Sequence, residues 1–124
     1  MDLPLTVVLV GIGGYGEVYL SALLDEPQGA QCRIVGAVDP RPDACSRLGE
    51  VEGRGIPVYP SLEAFYDRHE AELAVNSSPI HLHTEQTCLA LEHGSHVLLE
   101  KPAAASTVDV DRMMEARDRA RRFV

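Results

Sequence analysis

The chain has no tryptophan, three cysteines, a single lysine and no long apolar run, and each shortage excludes something. No stretch approaches the roughly 18 consecutive apolar residues that a membrane-spanning helix needs. The opening Met1-Asp2-Leu3-Pro4 lacks the basic segment of a secretory signal. Cys32, Cys45 and Cys88 are odd in number and show no C-x-x-C spacing, so neither a disulfide framework nor a redox motif is indicated. Such thiols suit a reducing cytoplasm, the expected location. Positive charge is also scarce: 11 Lys plus Arg stand against 19 Asp plus Glu, a net charge of −8. That balance argues against a general nucleic-acid binder, which needs clustered cations for phosphate contacts. The one basic cluster, Arg117, Arg119, Arg121 and Arg122, is interleaved with Asp111, Glu115 and Asp118 and reads as a solvated helix face.

What is present is aliphatic and regularly ordered. With 124 residues the chain fits one domain and hides roughly two thirds of its unfolded surface on folding. Leu5 to Val10 is a continuous apolar run rich in β-branched residues, the pattern of a strand buried on both faces. A helix is expected from about Tyr15 to Asp25, carrying Val18, Leu20, Leu23 and Leu24 inward. Further strands are expected at Arg33–Val38, Val58–Tyr59, Leu73–Asn76 and His96–Leu99. Between them lie a weaker helix from Pro42 to about Val51 and one capped by Ser61 that runs through His69. Two more helices cover His81–Glu92, stopped by Gly94, and Thr107 to about Arg122. Alternating strands and helices of this kind form an α/β domain, a parallel sheet covered by helices on both faces.

The sharpest local signal is Gly11-Ile12-Gly13-Gly14-Tyr15-Gly16, a G-x-G-x-x-G run between a buried strand and a helix. In that context Gly11 permits a tight turn, Gly13 lets the backbone approach a pyrophosphate, and Gly16 lets the helix pack on the strand. The helix start then offers unpaired N–H groups and the positive dipole end to phosphates. Asp39 follows Gly16 by 23 residues, at the end of the second strand. A carboxylate there can accept the ribose hydroxyls of an adenosine and repel a 2′-phosphate, which favours NAD over NADP. Arg41 works in the opposite sense, since it can pair with a 2′-phosphate or stack on adenine. A glycine loop followed by an acid also fits a methyltransferase that uses S-adenosylmethionine, so a second anchor is needed.

That anchor is residues 76–102. It contains Asn76-Ser77-Ser78-Pro79-Ile80-His81-Leu82-His83, then Ala90, Leu91, Gly94, His96 and Val97, then Glu100-Lys101-Pro102. With these segments the chain resembles, over essentially its whole length, the N-terminal domain of the Gfo/Idh/MocA oxidoreductase family. The resemblance implies a Rossmann-type doubly wound sheet, a three-layer αβα stack with strand order 3-2-1-4-5. It also implies that Ser77, Ser78 and Pro79 lie against the cofactor and that His83 is the helix-start histidine. Glu100 becomes the acid near the nicotinamide ribose, and Lys101 the lysine that helps proton transfer at the substrate hydroxyl. Lysine, unlike arginine, can give up its proton. Two departures are visible: Tyr19 stands where many members carry histidine, and Ala103 replaces a larger apolar residue.

The cofactor-binding set expected is therefore Gly11, Ile12, Gly13, Gly14, Tyr15, Gly16, Asp39, Arg41, Ser77, Ser78, Pro79, His83, Glu100 and Lys101, with Lys101 catalytic. The cofactor is NAD, with NADP as alternative, and the reaction is hydride transfer to or from a sugar- or polyol-like alcohol or carbonyl. The alternative function is a dinucleotide-binding module or sensor that turns nothing over. No metal site is expected, because His81 and His83 are separated from His93 and His96 by a helix of about 16 Å. Residues 1–124 are expected to be the dinucleotide-binding domain alone. A small-molecule substrate would then be held by a C-terminal domain that these residues do not include. Without a sixth strand, His96–Leu99 is expected to be an open sheet edge available for self-association.

Overall fold

The computed structural model describes residues 3–124. β1 (Leu5–Val10) is its centre, and pleating sends alternate side chains to opposite faces. Val8 and Val10 join one core with Val38, Leu62, Phe65, Leu91, Val97 and Ala116. Val7 and Leu9 join the other with Ile12, Leu20, Ala37, Val51 and Val75. β1 pairs in parallel with β2 (Cys32–Val38) and β4 (Leu73–Asn76). β3 (Val58–Tyr59) adds outside β2, and β5 (His96–Leu99) outside β4. The order is thus β3-β2-β1-β4-β5, the doubly wound arrangement expected. Its order reverses beside β1, where ligands of such sheets bind.

The helices are α1 (Gly16–Asp25), α2 (Leu48–Gly53), α3 (Leu62–Tyr66), α4 (Ile80–Glu92) and α5 (Thr107–Ala120). The weaker helix expected from Pro42 is divided: Pro42–Ala44 forms a 3₁₀ turn, and α2 begins only at Leu48. Ser61 and Ser106 each accept a hydrogen bond from a backbone N–H three residues on, Ala64 and Asp109, capping α3 and α5. Gly94, at φ +85°, closes the last turn after α4. Val18 does not face inward as expected; it is 54% exposed, while Leu20 is fully buried. Residues two apart on a helix differ by about 200°, so the stripe through Gly16 and Leu20 puts Val18 on the solvent side. No helix among the described residues is long and apolar enough to cross a membrane.

β5 is one of the two sheet edges, opposite β3, and no sixth strand pairs with it among the described residues. The edge is partly shielded, however. Arg121, in the left-handed conformation at φ +56°, turns the chain back after α5. Phe123 then accepts a hydrogen bond from the Val97 N–H at 2.9 Å and stacks on His96, with ring centres 4.0 Å apart. Leu98, further along the edge, remains 48% exposed.

Candidate functional site

The carboxyl ends of β1, β2, β3 and β4 open into one cavity of about 700 Å³. Its lining includes Gly11, Gly13, Gly14, Asp39, Arg41, Ser77, Ser78 and Pro79, with Ala44, His81, Leu82, Glu85 and Gln86 closing the sides. Eight of the expected site residues therefore meet in one place. Ile12, Tyr15, Gly16, His83, Glu100 and Lys101 are not in that lining.

The glycine loop shows which glycines the protein itself demands. A Cβ at Gly16 would lie 2.2 Å from the Gly11 carbonyl oxygen, so α1 can start there only without a side chain. At Gly11, φ is +87° and a Cβ would press within 3.1 Å of the Ser78 backbone nitrogen. Gly13 differs. A Cβ there would meet only Ala44, at an ordinary 3.5 Å, so nothing in the chain forbids one. It would instead occupy space at the cavity wall, which is where a pyrophosphate needs bare backbone. The open loop and the acid after β2 together fit a dinucleotide.

Asp39 is fixed by that loop. Its Oδ2 accepts from the backbone N–H of Ile12 at 3.1 Å and of Gly13 at 3.3 Å. Its Oδ1 accepts from the Arg41 N–H at 2.8 Å. Ile12 thus contributes its backbone while its side chain is buried in the core. A carboxylate offers about four acceptor positions, and the three bonds leave one on Oδ1, in a residue that lines the cavity. Ser77 locks β4 to the loop, its N–H donating to Val10 O at 2.9 Å and its hydroxyl to Gly11 O at 3.1 Å. Ser78 is held from below by the buried Asn76, whose Oδ1 accepts from the Ser78 hydroxyl at 2.8 Å.

His83 is 2% exposed, and its ring does not reach the cavity. Nε2 lies 2.7 Å from Ser78 O, and Nδ1 lies 3.0 Å from Pro102 O and 3.2 Å from Ala103 O. A neutral ring has one N–H and serves one side, whereas the charged ring serves both. His83 is therefore a pin between the turn after β4 and the turn after β5.

The second turn carries Glu100 and Lys101, and the Lys101–Pro102 peptide bond that follows is cis. Glu100 N–H extends the sheet by donating to Asn76 O at 2.9 Å. Its carboxylate accepts from the Tyr19 hydroxyl and from the Lys101 N–H, the latter at 3.1 Å. The Tyr19 bond holds the Glu100 carboxyl below the ordinary range; partial burial opposes this and the Lys101 N–H adds to it. The same bond, aided by burial, pushes the Tyr19 phenol up to about 12. Lys101 is exposed, and none of the ion pairs among the described residues includes it. Strands neighbour each other at about 4.8 Å, which sets this turn about 10 Å across the sheet from the glycine loop. Tyr19 and Asn76 are the contributors that sequence reasoning left without a role. The Tyr19 partner lies 81 residues away, and no local pattern marks that bond; the Asn76 bond to Ser78, two residues on, is the local Asx-type contact that an Asn-x-Ser sequence can show.

Comparison with known proteins agrees with this geometry. A family model described as an oxidoreductase family with an NAD-binding Rossmann fold matches residues 5–124. The chain is 34% identical over 106 residues to 2,7-anhydro-N-acetylneuraminate hydratase of Mediterraneibacter gnavus, covering 86% of this chain and 26% of that protein. It is 35% identical over 77 residues to scyllo-inositol 2-dehydrogenase (NADP(+)) IolU of Bacillus subtilis, covering 57% and 24%. The WlbA dehydrogenase of Chromobacterium violaceum, solved with NADH and UDP-GlcNAcA, superposes with a TM-score of 0.86 at 28% identity. That superposition covers all of this chain and 36% of the other. The chain spans about a quarter of the length of the curated relatives it matches.

Proposed function

The chain belongs to the Gfo/Idh/MocA oxidoreductase family and is an NAD-binding Rossmann domain of it; from that premise we propose that it serves hydride transfer on a sugar- or polyol-like alcohol or carbonyl, with Lys101 moving the proton. The observation that carries the reading is the continuity of the carboxyl edge. The glycine loop, Asp39 and the Ser77–Pro79 turn share one cavity, and the only lysine of the chain follows the neighbouring strand.

The residues divide the work. Gly13 and Gly14, without side chains, let the pyrophosphate approach the loop at the positive end of α1, while the Gly13 N–H stays on Asp39. Asp39 Oδ1 accepts a ribose hydroxyl, and its negative charge disfavours a 2′-phosphate, so NAD is preferred. Arg41, exposed at the rim, is the residue through which NADP gains entry. Ser78 and Pro79 wall the cavity, and Glu100 faces the nicotinamide ribose. A bound nicotinamide supplies the hydride acceptor or donor. On oxidation the Lys101 Nζ, as the neutral amine, takes the hydroxyl proton and becomes the ammonium, and on reduction the ammonium returns it. Substrate recognition belongs to a further domain outside these 124 residues, a reading supported by the length of the relatives. The same reading places the protein in the cytoplasm, consistent with three unpaired thiols, and gives the exposed part of β5 to self-association.

The test is turnover by the protein with its substrate-binding region, across sugars and polyols, with Lys101→Ala beside it. Loss of a positioned acid–base group lowers the rate roughly a hundredfold or more. Full activity in Lys101→Ala would remove the lysine from the mechanism, and NADH binding without any turnover would favour the sensor alternative.

A further inference from the structure

The Glu100 carboxylate has an ammonium on the next residue, yet the two form no ion pair. Each of its oxygens already accepts one hydrogen bond, Oε2 from the Tyr19 hydroxyl and Oε1 from the Lys101 backbone N–H, so the Lys101 ammonium acts on it through charge without a direct contact. We propose that Tyr19 is a positioning residue, whose hydroxyl holds the Glu100 carboxylate against α1 so that the Lys101 ammonium stays open to a substrate. This rests on the reading of Lys101 as the proton-moving group.

Three observations support it. Tyr19 is anchored: its ring packs on the core beneath α1, and Tyr15 meets it edge-on with ring centres 6.0 Å apart. The phenol is thus a fixed donor and not a loose surface group. Second, the other polar side chains of α1 point to the opposite flank. Glu17 accepts from the Ser46 N–H, while Ser21 and Asp25 accept from Arg47. Tyr19 is therefore the polar group through which α1 reaches β5. Third, α1 begins at Gly16, so the bond ties the phosphate loop's own helix to the reactive turn. A carboxylate released from it has an adjacent cation as its nearest new partner, and that pair would cover the ammonium.

Because Lys101 is the only lysine, its reactivity can be read without interference. The experiment measures acylation of the Lys101 amine by a limiting N-hydroxysuccinimide ester at pH 8 and low salt. Peptide mass spectrometry separates Lys101 from the amino terminus. The wild type is compared with Tyr19→Phe, Glu100→Gln and the double variant. The expected result is a slowing of about two- to fivefold in Tyr19→Phe, the range of an exposed ion pair, with the wild-type rate restored in the double variant. An unchanged rate in Tyr19→Phe, or a slowing that persists in the double variant, overturns the proposal. Should Tyr19→Phe not fold, Glu100→Gln carries the test through ring-carbon spectra of labelled tyrosine. Loss of the Glu100 charge must then lower the Tyr19 phenol's titration relative to the wild type, since that bond is the main cause that raises it; no movement overturns the proposal. NADH titration of the same samples separates the two readings. Restoration without NADH binding sinks only the cofactor reading, and unchanged acylation with NADH bound sinks only this one.

Discussion

The turn after β1 and the turn after β5 both present chemistry at the carboxyl edge of one sheet, but they are held in different ways. The first is held by backbone. Its carbonyls and N–H groups bond to β2, to β4 and to Asp39, and Gly16 admits no side chain against Gly11 O. The second has one backbone bond to its neighbour, Glu100 N–H to Asn76 O, and is otherwise held by two side chains from distant helices, Tyr19 of α1 and His83 of α4. A phosphate cradle needs a fixed shape, which backbone contacts over-determine. A reactive turn needs a particular charge arrangement, which single side chains can set and single substitutions can retune. Variants of the first turn should therefore act mainly on folding and cofactor affinity, and variants of the second mainly on charge and reactivity.

The largest effect is expected where the backbone leaves no room. Gly16→Ala must displace Gly11 O from 2.2 Å, at a cost of about 3 kcal/mol or more by analogy with overpacking. Gly14→Ala meets nothing within 4 Å and costs only about 1 kcal/mol, for its left-handed φ of +56°. Thermal unfolding of both variants checks the contrast; equal losses would mean that conformation, not crowding, governs the loop. Next, His83→Phe keeps a ring but leaves the Ser78 and Pro102 carbonyls without their donor. A loss of about 1–3 kcal/mol is expected, read by denaturant unfolding. A loss confined to tenths of a kcal/mol would show that water replaces the pin.

The smallest effect is a pH signature. Glu100 has a lowered folded-state value because the Tyr19 hydroxyl bonds its charged form. Its stabilisation is therefore present above the unfolded value of 4.5 and is lost as pH falls through the lower folded one. Tyr19→Phe should be less stable than wild type near pH 6, with the gap closing as pH drops below 4. Melting temperatures across that interval decide it, and a gap independent of pH would assign Tyr19 a packing role only.

The two regions were also unequally legible in the sequence. The glycine loop, β1, β4, β5 and Asp39 are local patterns, and the structure reproduces those strand limits. The Glu100-Lys101-Pro102 turn was legible only through family resemblance, since no periodicity marks it. For His83 the family resemblance implies a cofactor neighbour, while its ring contacts in the structure are carbonyls 5, 19 and 20 residues away. Tyr19 was visible only as a departure from a common histidine. Its partner is 81 residues on, brought near because β4 and β5 follow β1 on the same side of the sheet. Contacts created by topology leave no mark at either end of the chain segment.

Calorimetric titration of the wild type and Asp39→Ala with NADH, NADPH and S-adenosylmethionine tests whether the backbone-held turn and Asp39 select a dinucleotide lacking the 2′-phosphate. NADH should bind more tightly than NADPH, S-adenosylmethionine should not bind, and Asp39→Ala should erase the preference. Binding of S-adenosylmethionine alone, or a preference for NADPH in the wild type, would contradict it.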